Sequence, residues 1–188
     1  MNLPLLIALL AASAAFLIAE SLGAPLTLAL TFKGDVKRET RWLAQYGQAV
    51  CTGVVALIVW RLDRVGPHKS AALAIVAAVA AASVGAFILK RLLGRIRPGR
   101  QNAGKFTGPT IKHANWRESF PSSHSASAVA LSAVLAYLYP QGAAIFWALA
   151  ITCAVLRYLM DAHWPSDVLS GIALGYVAAH LVLPWLLR

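Results

Sequence analysis

Long apolar runs separated by short polar, mostly basic connections make up the chain. Leu3 to Ala19 is apolar throughout except for Ser13. Ser70 to Leu89 runs for 20 residues without a charge, about the length a bilayer core requires. Gln45–Trp60, Ser122–Tyr139, Ala143–Leu156 and Asp167–Leu187 bring the apolar segments to six. The pattern predicts an all-α, polytopic membrane protein with six transmembrane helices. The first segment reads as a spanning helix ending near Glu20 to Gly23, and not as a signal peptide, because no Lys or Arg precedes Lys33.

The connections are not uniform. Between the first two spans, Lys33 to Trp42 is strongly polar, with Val36 and Leu43, and Trp42 and Tyr46, at helical spacings. This predicts a short interfacial helix with Trp42 and Tyr46 at headgroup level. Arg61, Asp63, Arg64, Gly66, Pro67, His68 and Lys69 form a turn before the third span. That span leads into Lys90-Arg91-Leu92-Leu93-Gly94-Arg95-Ile96-Arg97-Pro98, where Pro98 is expected to stop the helix at Arg97. A 23-residue loop, Pro98 to Phe120, carries Arg100, Lys105, Lys112 and Arg117 against Glu118 alone. Loops of that length in compact proteins tend to be functional or disordered. Arg157 to Ser166 reads as a turn, and Pro165 suits the first turn of the last helix. By parity, the 33–41, 90–121 and 157–167 connections share one membrane face.

Composition agrees. The chain has 188 residues, of which 59% are hydrophobic and only 13% charged, unlike an ordinary soluble domain. The length fits one membrane-embedded domain over 1–188. The net charge of +10 must sit in loops and helix ends, where it favours anionic lipid headgroups or phosphorylated substrates over nucleic acid. Cys51 and Cys153 lie in apolar runs and suit packing, not a disulfide framework or a zinc site. Nothing calls for a metal or an organic cofactor.

The chemistry gathers where the long loop meets the fourth span, at Phe120-Pro121-Ser122-Ser123-His124-Ser125. A helix start leaves backbone N–H groups unpaired at its electropositive end, so a phosphate can rest near Ser122 and Ser123 with His124 beside it. The same residues also suit a plain N-cap. Lys90 and Arg97 are seven apart, two helical turns, and so project from one face. They fit either phosphate binding or snorkelling at a helix end. His163 precedes Asp167 by four. Asp167 accepting from one imidazole nitrogen would leave the other as a nucleophile. The pair also fits an ordinary interfacial hydrogen bond, and a metal site lacks a third and fourth ligand nearby. Lys90, Arg97 and Arg157 would hold phosphate oxygens in an in-line displacement, and His124 would protonate the leaving oxygen.

Lys90-x6-Arg97-Pro98, Pro121-Ser122-Ser123-His124 and Arg157-x5-His163-x3-Asp167 resemble the three signature motifs of the type-2 phosphatidic acid phosphatase superfamily, in order and in placement. The resemblance covers about residues 90–171. It implies metal-independent dephosphorylation of a membrane lipid through a phosphohistidine on His163. The catalytic set it implies is His163, His124 and Asp167, with Lys90, Arg97, Ser122, Ser123 and Arg157 binding the phosphate. Two positions depart from the family pattern: Ser123 stands where Gly is usual, and Leu156 where Ser is usual.

The resemblance also implies a bacterial inner membrane location with the site facing the periplasm. Most of the 17 Lys and Arg residues lie on the face carrying the motifs, so positive-inside counting alone would turn that face to the cytoplasm. Candidate substrates are phosphatidylglycerol phosphate, undecaprenyl diphosphate, a lipid A phosphate and phosphatidate. A transporter or binding protein for anionic headgroups is the alternative, using the cations without His163 as nucleophile. The sequence leaves the oligomeric state open.

Overall fold

The structure, a computed structural model, describes residues 1–28, 30, 33–62 and 68–186. Its helices are α1 (Leu3–Ser21), α2 (Gly34–Leu43), α3 (Ala49–Leu62), α4 (His68–Leu93), α5 (Ser123–Leu138), α6 (Ala143–Leu159) and α7 (Pro165–Leu186). Single 3₁₀ turns form at Asn115–Arg117 and Pro140–Gly142. Among the described residues the only strand-like pairing is an isolated antiparallel bridge between Arg95 and Phe106.

Helix α5 is the axis of the bundle. It packs against α4, α6 and α7. Every residue from Ser125 to Leu135 is buried, as expected of a helix with no strongly polar face. Helix α7 reaches it through Gly171 and Gly175, one turn apart. A Cβ on Gly171 would strike the Ser122 carbonyl oxygen, and one on Gly175 that of Ala126. Small residues at this spacing let helix backbones approach closely in membranes. Helix α4 buries the stripe Ala71, Ala74, Ile75, Ala78, Ala82 and Ala86, and Lys90 continues it. Helix α3 packs on α4, and α1 on α7. Most of α1 faces outward, with Leu3, Ile7, Leu10 and Ile18 exposed and Ser13 buried.

The protein is thus an all-helical membrane protein. Among the described residues, four stretches are long and apolar enough to cross a bilayer: Leu3–Ser21, Lys69–Leu93, Pro140–Leu159 and Pro165–Leu186. Helices α3 and α5 are apolar but shorter, with 14 and 16 residues. At 1.5 Å per residue, α5 covers about 24 Å of a hydrocarbon core of about 30 Å.

Several boundaries differ from the sequence expectation, each for a local reason. Helix α3 starts at Ala49 and not at Gln45, because Gly47 turns the chain with φ 86° where it lies against the backbone of Ser127 and Ala128. Helix α4 stops at Leu93, before Arg97, because Gly94 takes φ 62° and donates to the Lys90 carbonyl at 3.0 Å, a glycine stop. Lys90 and Arg97 therefore do not share a helical face. Helix α6 continues to Leu159, so Arg157 sits on its last turn and not in a loop. A short polar helix, α2, forms where the interfacial helix was expected, and it ends before Tyr46. Leu187 of the sixth expected span and Asp63, Arg64, Gly66 and Pro67 of the expected turn lie outside the described residues.

Candidate active site

The last turns of α1, α4 and α6 meet the first turns of α5 and α7 at one end of the bundle. His163 lies there, just before Pro165 opens α7 at its first position, a favoured place for proline. Its side chain is buried. His163 Nδ1 lies 2.8 Å from the carbonyl oxygen of Ser119. A carbonyl only accepts, so Nδ1 carries the proton and Nε2 keeps its lone pair. Burial, reinforced by the charges of Lys90, Arg97 and Arg157 and by His124, holds the imidazole well below its ordinary proton affinity. At neutral pH the ring is therefore unprotonated at Nε2, where its lone pair lies.

Asp167 was expected to accept directly from His163, but Nδ1 and Oδ2 are 3.7 Å apart, beyond a hydrogen bond. The link is indirect. Asp167 Oδ2 accepts from the Ser119 hydroxyl at 2.5 Å, and the carbonyl of that same serine holds His163. Oδ2 also accepts from the Trp164 N–H at 2.9 Å, an acid three residues into the helix closing back on its cap.

The cations converge through backbone carbonyls. Lys90 Nζ donates to the Glu118 carbonyl at 2.6 Å, and Arg97 Nη2 donates to the same oxygen at 3.2 Å. Arg97 further donates to Asn115 and Ala162 carbonyls, each at 2.7 Å. Its Nη1 lies 3.4 Å from His163 Nε2. Arg157 joins them from α6, and its Nε is buried without a hydrogen-bond partner. Among the described residues none of these three cations pairs with a carboxylate. Buried charge left in this state calls for an anion.

The long loop is pinned beneath them by Glu118. Its carboxylate accepts from Arg91 at 2.8 Å, His113 at 2.7 Å and the Ala114 N–H at 3.0 Å. Burial alone would raise its proton affinity, but these donors outweigh it and hold the carboxyl below its ordinary range.

Ser122 caps α5. Its side chain accepts from the Ser125 N–H at 3.4 Å and the Ser125 hydroxyl at 3.0 Å, and its own N–H donates to the Asp167 carbonyl at 2.9 Å. The serine is fully buried. The donors free of intrahelical bonds at this helix start are those of Ser123 and His124. His124 also borders a cavity of about 670 Å³, lined by Trp42, Leu43, Tyr46, Val50 and Cys51 among others.

Sequence reasoning missed Ser119 and a buried ion pair. Arg95 donates through Nη1 to Asp167 Oδ1 at 2.6 Å and through Nη2 to Glu20 Oε2 at 2.7 Å. Both Arg95 and Glu20 side chains are 1% exposed. The available signal was Glu20 itself, the only charged residue before Lys33 and set in apolar sequence.

The chain is 42% identical over 90 residues to a lipid A 1-phosphatase of Rhizobium etli, covering 47% of this chain and 38% of that protein. It is 40% identical over 89 residues to a lipid A 1-phosphatase of Rhizobium johnstonii, covering 47% and 36% respectively. The aligned stretch thus spans well under half the length of these relatives. The fold is similar to the crystal structure of a transmembrane PAP2-type phosphatidylglycerolphosphate phosphatase from Bacillus subtilis. That likeness has a TM-score of 0.62 at 18% identity, covering 98% of this chain and 87% of the other. A family model described as the PAP2 superfamily matches residues 71–188, which hold Lys90, Arg97, His124, Arg157, His163 and Asp167. On that match, across more than half of its length, the chain belongs to the PAP2 superfamily.

Proposed function

We propose that the protein is an integral membrane phosphatase that hydrolyses a lipid phosphate monoester or diphosphate through a phosphohistidine. The observation that carries this is the meeting of Lys90, Arg97 and Arg157 near the unprotonated Nε2 of His163, with no carboxylate paired to the cations among the described residues. A headgroup-binding protein needs the cations. It does not need a buried imidazole with an assigned tautomer. Among candidate substrates a lipid A phosphate stands first, because the two curated relatives are lipid A 1-phosphatases. Phosphatidylglycerol phosphate, undecaprenyl diphosphate and phosphatidate follow.

In the proposed reaction the Nε2 lone pair attacks phosphorus, and the bond from phosphorus to the lipid oxygen breaks. His124 gives its proton to that oxygen. Lys90, Arg97, Arg157 and the N–H groups of Ser123 and His124 hold the equatorial oxygens as charge spreads over them. Ser122 contributes by capping α5 at the site. The phosphorylated ring is an imidazolium, stabilised at Nδ1 by the Ser119 carbonyl and by the nearby Asp167 carboxylate. Water then attacks phosphorus, His124 takes its proton, the P–N bond breaks and phosphate leaves.

The whole chain, 1–188, acts as one domain in this reading. Six helices, α1, α3, α4, α5, α6 and α7, cross the bilayer of a bacterial inner membrane with the site toward the periplasm, and α2 lies at the interface. The short α5 is tolerated because it is enclosed by its neighbours. The partners are the bilayer and its lipid phosphates; nucleic acid plays no part. The test is phosphate release by purified protein in detergent with EDTA present, across these lipids, alongside His163→Ala. Release that survives EDTA and is lost in the variant is expected. Equal release by the variant would remove His163 as nucleophile.

A further inference from the structure

Glu20, Arg95, Ser166, Asp167 and Ser119 form one closed, buried polar ring that joins α1 to the nucleophile. Arg95 Nη1 donates to Asp167 Oδ1 and to the Ser166 hydroxyl, both at 2.6 Å. Glu20 Oε2 accepts from Arg95 Nη2 at 2.7 Å and from the Ser166 hydroxyl at 2.5 Å. Glu20 Oε1 accepts from the Ser166 N–H at 3.1 Å. The ring closes through the backbone, where the Ser119 N–H donates to the Arg95 carbonyl at 3.0 Å. The Arg95 guanidinium carbon also lies over the rings of Phe106 and Trp164, 5.3 Å from each ring centroid. The Ser13 hydroxyl adds a second bond from α1, donating to the Ser166 carbonyl at 3.0 Å.

An arginine between two carboxylates is an expensive thing to bury, and a hydrophobic substitute often serves stability as well or better. Its arrangement here has a direction. Asp167 does not hydrogen-bond His163 directly, and it orients the imidazole by way of Ser119. The Arg95 fork sets the angle of the Asp167 carboxylate, and Glu20 holds the far side of that fork. We infer that Glu20 and Arg95 are positioning residues, which aim His163 Nε2 at the phosphorus by way of Asp167 and Ser119. The first helix is then part of the reacting frame although it contributes no group that touches substrate. This inference rests on the phosphatase reading above.

The test uses the full chain in detergent and compares Glu20→Ala, Glu20→Gln and the double variant Glu20→Ala with Asp167→Asn. The substrate is the lipid phosphate hydrolysed fastest by the unaltered protein, and inorganic phosphate serves as a competitive ligand. Glu20→Ala is expected to lower kcat at least tenfold while KM and the inhibition constant for inorganic phosphate stay within about threefold, because the cations are untouched. Glu20→Gln, which still accepts from Ser166, should recover a large part of the loss. Glu20→Ala should cost little further in the Asp167→Asn background, since residues acting as a unit are not additive. Unchanged kcat in Glu20→Ala overturns the inference. So does a parallel loss of kcat, phosphate affinity and thermal stability that Gln does not relieve, which is what a merely structural contact gives.

A second readout needs no turnover. Histidine ¹⁵N NMR, assigned with His163→Gln, should show the Nδ1–H tautomer in the unaltered chain and a mixture in Glu20→Ala. An unchanged tautomer overturns the inference. If the unaltered protein released no phosphate at all, the phosphatase reading would fail, and this spectrum would still decide the positioning role.

Discussion

Arg97 and His163 stand with guanidinium Nη1 and imidazole Nε2 3.4 Å apart, so the group that would steady the phosphate and the atom that would attack it are neighbours before any ligand arrives. The fork is held in place by carbonyls of Asn115, Glu118 and Ala162. A lysine carries the same charge but has no planar fork with which to reach three carbonyls and a phosphate oxygen together. Arg97→Lys should therefore lower kcat/KM by about 10²-fold to 10³-fold, the range for loss of one charge-stabilising donor. Steady-state phosphate release measures it, and a loss of less than threefold would show that charge alone suffices.

The depressed proton affinity of His163 has a sign that pH profiles can read. The ring is already unprotonated in the free protein at pH values where an ordinary histidine, near 6.5, would be charged. The acid limb of kcat/KM due to His163 should thus lie below pH 6.5. Burial is the larger cause and the neighbouring cations the smaller, so Arg97→Gln should move that limb upward without restoring the ordinary value. An acid limb above 6.5, or one that moves downward in the variant, would contradict the assignment.

Gly175 and Gly171 set how closely α7, which carries Asp167, can approach α5, which carries His124. Gly175→Ala places a methyl against the Ala126 carbonyl, and backbone cannot yield as a side chain can. A loss of about 1–3 kcal/mol is expected from such overpacking, with a fall in phosphate release as the two helices part. Thermal unfolding in detergent checks the first effect and turnover at a permissive temperature the second. Gly53, whose Cβ would meet open space, is the control and should tolerate Ala.

The sequence showed much of this site because its motifs are chemical. Cations, histidines and a serine pair at set spacings advertise phosphate handling wherever the backbone carries them. The detailed geometry was less legible. The four-residue spacing of His163 and Asp167 suggested a direct bond, but His163 precedes the helix, and the loop aims its ring at Ser119 instead. The two-turn spacing of Lys90 and Arg97 suggested one face, but Gly94 ends the helix between them, and the Glu118 carbonyl brings them together. Glu20 and Arg95 are 75 residues apart, and no periodicity links positions on separate helices.

Helix α1 is joined to α7 at its polar points: Ser13 to Ser166 and Ser170, Glu20 to Ser166, and the Asn2 N–H to the Tyr176 hydroxyl at 2.7 Å, while Glu20 also reaches Arg95 just beyond α4. Most of its apolar surface is turned outward. The polar groups of this joint are kept dry by the protein around them, and water that entered would compete for every one of its bonds. Short, strongly hydrating detergents should unfasten α1 first, while the α4–α7 bundle keeps its helices. Turnover would then vanish with circular dichroism almost unchanged, and return when the chain is moved back into a bilayer.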